Sequence, residues 1–359
     1  MTPLKPILRA RIAAAGPMTL AEYMGECLLH PDHGYYTTHE PFGQTGDFIT
    51  APEISQMFGE LLGLCLAQSW LDLGAPAPFT LAELGPGRGT LMADVLRATA
   101  RVPGFHGAAQ ITLVEASPAL RARQHATLGA HPVTWLDSAN DLPEAPLFLL
   151  ANEFFDALPI RQFTRAATGW EETVVTLRDG ALSLARGPAL PIAALDHRLA
   201  DTAPGEVVEI CPAALPVMAP LGARITQHGG VALILDYGGW QSRGDTFQAL
   251  RNHAFTDPLA APGAADLTAH VDFAALAQAT PCPAAYTTQG ALLGALGIEA
   301  RAAALAQRLD GAALQSHLAA TRRLTDPEEM GTLFKALALH RPGTAPPPGF
   351  PAEPPRDKP

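Results

Sequence analysis

The stretch Phe79-Thr-Leu-Ala-Glu83-Leu-Gly85-Pro86-Gly87-Arg-Gly89-Thr90-Leu91 decides the fold. It reads as a short apolar strand ending in an acid, then a glycine turn, then an amphipathic helix running through Met92, Val95 and Leu96. Strand, glycine loop and helix in that order make the first βα turn of a doubly wound ligand-binding sheet. The details choose the ligand. The dinucleotide fingerprint G-x-G-x-x-G needs glycine at position 90, where Thr90 stands; the glycines fall at 85, 87 and 89. Pro86 removes one backbone N–H from a loop that a pyrophosphate would want rich in donors. The acid Glu83, just before a G-x-G-x-G turn, suits a ligand with a cationic end rather than a phosphate end.

S-adenosylmethionine (SAM) carries an ammonium and a sulfonium and no phosphate, so it is the expected cofactor. A nicotinamide cofactor is disfavoured by Thr90 and Pro86. Outward from the glycine loop, strands at about 79–84, 110–115, 132–136 and 146–150 alternate with helical stretches at 90–100 and 118–128, the doubly wound rhythm. The rhythm then breaks. Residues 161–186 read as β and are expected as an antiparallel insertion on the edge of the main sheet. Residues 213–228 read as helix, Gly230 to Asp236 as a fifth buried strand, and 238–270 as irregular and polar. Ala- and Leu-rich helices are expected at 272–279, 288–309 and 311–320. Late β segments near 284–287 and 333–339 could close the sheet.

Before the glycine loop, Thr19 and Glu22 form a capping box opening a helix through Leu29. A Pro31–Gly34 turn, a Tyr35-Tyr36 pair and a glycine-rich loop at 43–50 follow, then one long helix over 52–73 with Pro52 near its start. The expected organisation is an N-terminal helical lid region at 1–75 and a core at 76–340. The core carries substrate-channel insertions at about 160–228 and 238–330, and a disordered proline-rich tail covers 341–359.

With 359 residues, of which 48% are hydrophobic and 16% charged, the chain can bury an ample core. Its formal net charge of −11 argues against a general affinity for nucleic acid or anionic membrane. It is compatible with a cationic substrate, though ordinary cytosolic proteins are often as acidic. Cys27, Cys65, Cys211 and Cys282 are scattered, without a C-x-x-C pair, and read as reduced structural cysteines. His30 and His33 read as turn histidines, and no metal is expected. No apolar run reaches the roughly 18 residues needed to span a bilayer. Lys5, Arg9 and Arg11 hint at a targeting helix, but Gly16-Pro-Met-Thr19 follows at once, leaving little to cleave.

The candidate site residues fall at strand ends. Glu83, Gly85, Pro86, Gly87 and Gly89 surround the first turn. Glu115 ends the second strand, where an acid can accept hydrogen bonds from both ribose hydroxyls. Asp137 and Ser138 end the third, either meeting the adenine amino group or capping the next helix. Asn152-Glu153-Phe-Phe-Asp156 follows the fourth. It places an amide and two acids at the cofactor's reactive end, and two carboxylates match the flat fork of a guanidinium. The alternative there is helix capping, with Phe154 and Phe155 as core. Asp47 and Thr50, in the 46–50 loop, could fold over the cofactor as a lid.

Taken in order, several segments resemble the MidA family, also known as the mitochondrial complex I assembly-factor methyltransferases. They include Gly16-Pro-Met-Thr-Leu-Ala-Glu-Tyr-Met24, Gly46-Asp-Phe-Ile-Thr-Ala-Pro-Glu-Ile-Ser-Gln-Met-Phe-Gly-Glu60 and Glu83-Leu-Gly-Pro-Gly-Arg-Gly89. Asn152-Glu-Phe-Phe-Asp-Ala-Leu-Pro159, Asp236-Tyr-Gly238, Ala265-Asp-Leu-Thr-Ala-His-Val-Asp-Phe273 and Met330-Gly-Thr-Leu-Phe-Lys335 continue the series. The match spans nearly the whole chain apart from the tail. The resemblance implies a class I, Rossmann-like, SAM-dependent methyltransferase, α/β with a mostly parallel sheet. It also implies a protein-arginine enzyme making symmetric dimethylarginine on a complex I core subunit. By that resemblance Glu153 and Asp156 become the residues that hold the guanidinium, and Gly85, Gly87 and Glu115 become SAM contacts. A bacterial, cytoplasmic member is expected, with a protein substrate and no nucleic-acid or membrane partner. The rival readings are a SAM-binding assembly scaffold without turnover, and methylation of another protein nitrogen or a small molecule.

Overall fold

Phe79–Leu84 is buried at all six positions, as a strand covered on both faces must be. In the computed structural model, which describes residues 2–38, 49–251 and 253–352, this strand lies inside a seven-membered run. The strands are β1 (Phe79–Leu84), β2 (Ala109–Val114), β3 (Val133–Leu136), β4 (Leu147–Asn152), β5 (Gly230–Gly239), β6 (Ala284–Thr288) and β7 (Phe334–His340). Their order across the sheet is β6-β7-β5-β4-β1-β2-β3. β5, β4, β1, β2 and β3 run parallel, and β7 is antiparallel to both β5 and β6. The late β segments thus close the sheet, as their sequence allows. The order reverses between β1 and β4: β2 and β3 lie to one side, β5 to the other. Such a switch point opens a crevice outside the carboxyl ends of the two central strands.

The chain divides into two compact units. The larger contains this sheet and the described residues among 49–154, 216–238 and 273–359. An aromatic cluster under the sheet joins Trp70, Phe79, Phe105 and Phe148, with ring centroids 5.0–5.7 Å apart. Helix Gln56–Asp72 lies against helix Thr90–Thr99. The approach is close enough that a Cβ at Gly59 would come within 2.6 Å of the Asp94 Cβ. The single helix expected over 52–73 is two: Ala51–Ile54, then Gln56–Asp72. Ser55 breaks it. Its backbone is extended, and its hydroxyl accepts from Met57 N, capping a new helix start. The helix expected over 288–309 is likewise two, Gln289–Ala295 and Ile298–Ala306, parted at Gly297 with φ +91°.

The proline-rich tail also departs from expectation over its described part. Residues 341–352 form turns, with Thr344 N donating to Arg341 O and Phe350 N to Pro347 O. Phe350 packs on the main core, and the Cys65 thiol donates to Pro348 O at 3.3 Å. Pro347 is buried and Phe350 half-buried, so this part of the tail covers core surface.

The smaller unit holds the described residues among 1–48, 155–215 and 239–272. The N-terminal segment expected as one region over 1–75 is therefore shared between the two units. The β residues of 161–186 do not extend the main sheet. Arg161–Arg165 pairs on one side with Trp170–Arg178 and on the other with Val207–Ile210, so both its edges are used within its own antiparallel sheet. Ala181–Leu190 and Met18–Thr19 complete that five-stranded sheet by pairing with Trp170–Arg178. The stretch 238–270, expected as irregular, contains three short antiparallel strands, Gln248–Arg251, Ala254–Thr256 and Asp266–Thr268. The capping box on helix Leu20–Leu29 is present: Glu22 N donates to Thr19 Oγ1, and Thr19 N to Glu22 Oε2. A buried polar cluster ties this unit together. The Glu209 carboxylate accepts from Gln162 Nε2, Thr246 N and Thr246 Oγ1, while Ser242 Oγ accepts from Glu209 N.

Candidate active site at the switch point

The turn after β1 is left-handed at all three glycines, with φ of +58° at Gly85, +52° at Gly87 and +81° at Gly89. A side chain is strained in this region of backbone space, and at Gly85 a Cβ would also come within 2.9 Å of the Phe154 ring. The turn closes by Gly89 N donating to Pro86 O at 2.8 Å, and Gly89 becomes the N-cap of helix Thr90–Thr99. Pro86 and Gly87 are buried. The loop is held from outside by Glu53, whose Oε1 accepts from Thr90 Oγ1 at 2.5 Å and whose Oε2 lies 3.7 Å from Arg88 Nη1.

Glu83 sits one residue before the end of β1 and is 3% exposed. Burial pushes its carboxyl up to about 8, opposed by a hydrogen bond from the Met92 amide in the first turn of the following helix. Its Oε2 has no hydrogen-bond partner among the described residues. On the adjacent parallel strand β4, Asn152 is the last residue, and its buried Oδ1 likewise has none among the described residues. Its Nδ2 donates to Glu153 Oε1 at 3.0 Å.

Glu115 follows β2 directly, with its N–H donating to Leu136 O. Burial raises its carboxyl; the Ser117 amide, the Gln124 side chain and the Arg121 charge oppose the rise in that order. Asp137 is exposed and pairs with Arg121 at 2.5 Å. The Ser138 hydroxyl accepts from Asn140 N, capping the short turn Ala139–Asp141. The capping geometry weighed from sequence is thus present there.

Glu153 has φ +50°, a costly conformation for a residue with a side chain. Its N–H donates to Leu235 O on β5, and its Oε1 accepts from Ala51 N at 3.1 Å. The segment opening at Ile49 is therefore tied to the end of β4. Thr50 is the N-cap of Ala51–Ile54, without a side-chain cap bond. Asp47 lies outside the described residues. Asp156 belongs to the smaller unit, where it is 7% exposed and its carbonyl accepts from Ala269 N.

The sequence reading missed Glu53 as the clasp on the glycine loop, and Gln124. Gln124 is 0% exposed on helix Pro118–Leu128. A signal was available: Leu120, Gln124 and Leu128 recur every four residues, and a polar residue on a buried apolar stripe needs partners. Among the described residues, no group of three or more His, Cys, Asp or Glu side chains is placed to hold a metal ion. No helix of the described residues is long and apolar enough to cross a membrane.

These groups fit SAM. Two buried acceptors without a partner among the described residues, Glu83 Oε2 and Asn152 Oδ1, lie at the carboxyl ends of the two strands that flank the switch point, Glu83 one residue before the last of β1 and Asn152 the last of β4. Acceptors so placed match an ammonium, and the carboxylate at the end of β2 matches a ribose diol. The three glycines of the turn between them let a ligand approach the backbone closely at those positions.

Known proteins agree with the chemistry of this cradle. Residues 61–291 match the family described as "Putative S-adenosyl-L-methionine-dependent methyltransferase". The protein arginine methyltransferase NDUFAF7, mitochondrial, of Rattus norvegicus is 37% identical over 368 residues, covering 94% of this chain and 84% of that protein. Its counterpart in Homo sapiens is 35% identical, covering 94% and 83%. Among solved structures, a "likely methyl transferase from Burkholderia thailandensis bound to S-adenosyl-homocysteine" superposes with a TM-score of 0.81 at 33% identity, covering 94% of this chain and 91% of that one. With the parallel sheet, the glycine turn and relatives over nine-tenths of its length, the chain belongs to the MidA-type family of SAM-dependent methyltransferases, with SAM as its cofactor.

Proposed function

We propose that this enzyme is a protein-arginine N-methyltransferase making symmetric dimethylarginine on a respiratory complex I core subunit or its bacterial counterpart. One observation carries the reading. The relatives that align with 92–94% of the chain are named protein arginine methyltransferases, and in this chain the amide Asn152 and the acids Glu153 and Asp156 come at and directly after the end of β4 in sequence. The bound cofactor supplies an electrophilic methyl on a sulfonium. The chain's own part is to hold and orient the acceptor, because methyl transfer is an in-line displacement governed by proximity and field. Glu153 and Asp156 are three residues apart, a span of at most about 10 Å of extended chain. We assign both to the guanidinium, whose delocalised charge must be drawn to one side before a nitrogen can present its lone pair. Glu83, Gly85, Pro86, Gly87, Gly89, Asn152 and Glu115 are assigned to the cofactor, with Asp137 and Ser138 toward the adenine and Asp47 and Thr50 in its cover. All four cysteines are free, which supports a reducing compartment, here taken as the bacterial cytoplasm.

The test is transfer of labelled methyl from SAM to a purified complex I core subunit, with symmetric dimethylarginine identified after hydrolysis. Turnover should vanish in Glu153→Gln while SAM binding persists. Saturable SAM binding with no labelled arginine would refute the arginine reading and favour another acceptor nitrogen. Client binding and biological activity that survive Glu153→Gln would favour a scaffold.

A further inference from the structure

Gln124 is in none of the strand ends or loops that the cofactor reading uses, yet its side chain joins two of them. Its Nε2 donates to Gly87 O at 2.8 Å and to Glu115 Oε2 at 3.2 Å, and its Oε1 accepts from Trp135 Nε1 at 2.8 Å. An indole N–H only donates. It therefore fixes which end of the amide is oxygen, and both Nε2 hydrogens must face the glycine turn and the acid. Helix Pro118–Leu128 also presses on the turn at this residue: a Cβ at Gly89 would lie 3.4 Å from Gln124 Cα. From the other side, Ser117 N donates to Glu115 Oε1 at 2.8 Å. Both carboxylate oxygens are thus held, with the Ala116 amide as a further donor to the group, and a carboxylate's roughly four lone-pair sites leave capacity for more.

We propose that Gln124 is a positioning residue for the cofactor's ribose. It locks the Glu115 carboxylate and the Gly87 carbonyl into one frame, so that the carboxylate meets both hydroxyls of the diol without rearranging. This rests on the reading of Glu115 as the ribose acid. The consequence is selective. Loss of Gln124 leaves Glu115 present but removes the side-chain donor that holds its Oε2, so affinity falls for a ligand with a complete ribose diol and hardly at all for one without it.

The experiment measures binding of S-adenosylhomocysteine and of its 2′-deoxyribose counterpart by titration calorimetry to the full chain, with melting midpoints recorded alongside. Gln124→Met should weaken S-adenosylhomocysteine about tenfold, the scale of a hydrogen bond to a charged group, and the deoxy compound by less than about twofold. Glu115→Gln should show the same pattern, and the double variant should be no worse than the weaker single variant. Trp135→Phe, which frees the amide without approaching the ribose, should lower the preference by about threefold, and by nothing in the Gln124→Met background; it carries the test if Gln124→Met does not fold. Equal weakening of both compounds by Gln124→Met, or none at a native melting midpoint, would overturn the proposal while leaving Glu115 as the ribose acid. No change of preference in Glu115→Gln would overturn that underlying reading and the proposal with it.

Discussion

Glu83 offers the sharpest test of the cradle, because its carboxyl is buried and its protonation is coupled both to folding and to the cofactor. Its ordinary value is 4.5, and burial pushes it to about 8 in the folded chain. Below pH 4.5 the folded and unfolded states are both protonated, and the group contributes nothing unfavourable. Between pH 4.5 and 8 the unfolded chain gives up this proton while the folded chain keeps it, so stability falls as pH rises. Above 8 both states are ionised and the loss levels off. The total loss over that window is about 5 kcal/mol. Glu83→Gln is close in shape to the protonated acid and does not titrate. Its stability relative to the natural chain, from urea unfolding at pH 4 to 9, should therefore rise steadily through the window and flatten near pH 8. A difference that does not vary with pH would refute the burial argument.

The same group predicts the proton balance of cofactor binding. At pH 7 a carboxyl near 8 is about nine-tenths protonated. An ammonium brought to Glu83 Oε2 favours the ionised form, so binding should release close to one proton. Ionising the group at pH 7 costs about 1.4 kcal/mol, which offsets much of the ~1.5–3 kcal/mol gained from a charged hydrogen bond. Loss of affinity in Glu83→Gln is consequently small at pH 7, and proton release is the better reading. Titrations in buffers of different ionisation enthalpy should show the release in the natural chain and not in Glu83→Gln. Equal release in both would remove Glu83 from the ammonium site.

Phe350→Ala should destabilise the chain by about 2 kcal/mol, roughly half the cost of a fully buried phenylalanine, since Phe350 is only partly buried against the main core. It should also speed the reaction of Cys65 with a thiol reagent under native conditions, because that thiol is 1% exposed and bonded to the same segment; an unchanged rate would mean that 341–352 does not cover it. Glu53→Gln should lower SAM affinity by about fivefold with little change in melting midpoint, as the charged acceptor for Thr90 Oγ1 and the ion-pair partner of Arg88 are lost together. A binding constant equal to that of the natural chain would show that the glycine turn holds its shape without the clasp.

Which parts of the fold and site the sequence reveals follows from how each residue reaches its place. A βα turn carries its own instructions: an apolar run, an acid and three glycines at fixed spacing demand a left-handed turn wherever they stand. Positions 83–90 and the strands around them were legible for that reason. Glu115 and Asn152 were legible because parallel topology brings every strand's carboxyl end to one edge, so being last in a strand is already a location. Other features depend on choices that pattern alone does not express. Ser55 can continue a helix or restart one, and only the extended backbone there, with Met57 N to cap, decides for the restart. Arg161–Arg165 reads as a strand whether it joins the edge of the main sheet or its own neighbours; the partners Trp170–Arg178 and Val207–Ile210 decide it. Gln124 is the intermediate case. Its spacing from Leu120 and Leu128 announces that a polar side chain will be buried, but not what it will meet, because its three partners come from the loop after β1, the end of β2 and the middle of β3. Its amide has two donors and one acceptor bond to satisfy without water, and those three partners satisfy them. The burial itself therefore implies the frame that joins the glycine turn to the acid at the end of β2, and replacing Gln124 tests the frame more directly than replacing either of the groups it holds.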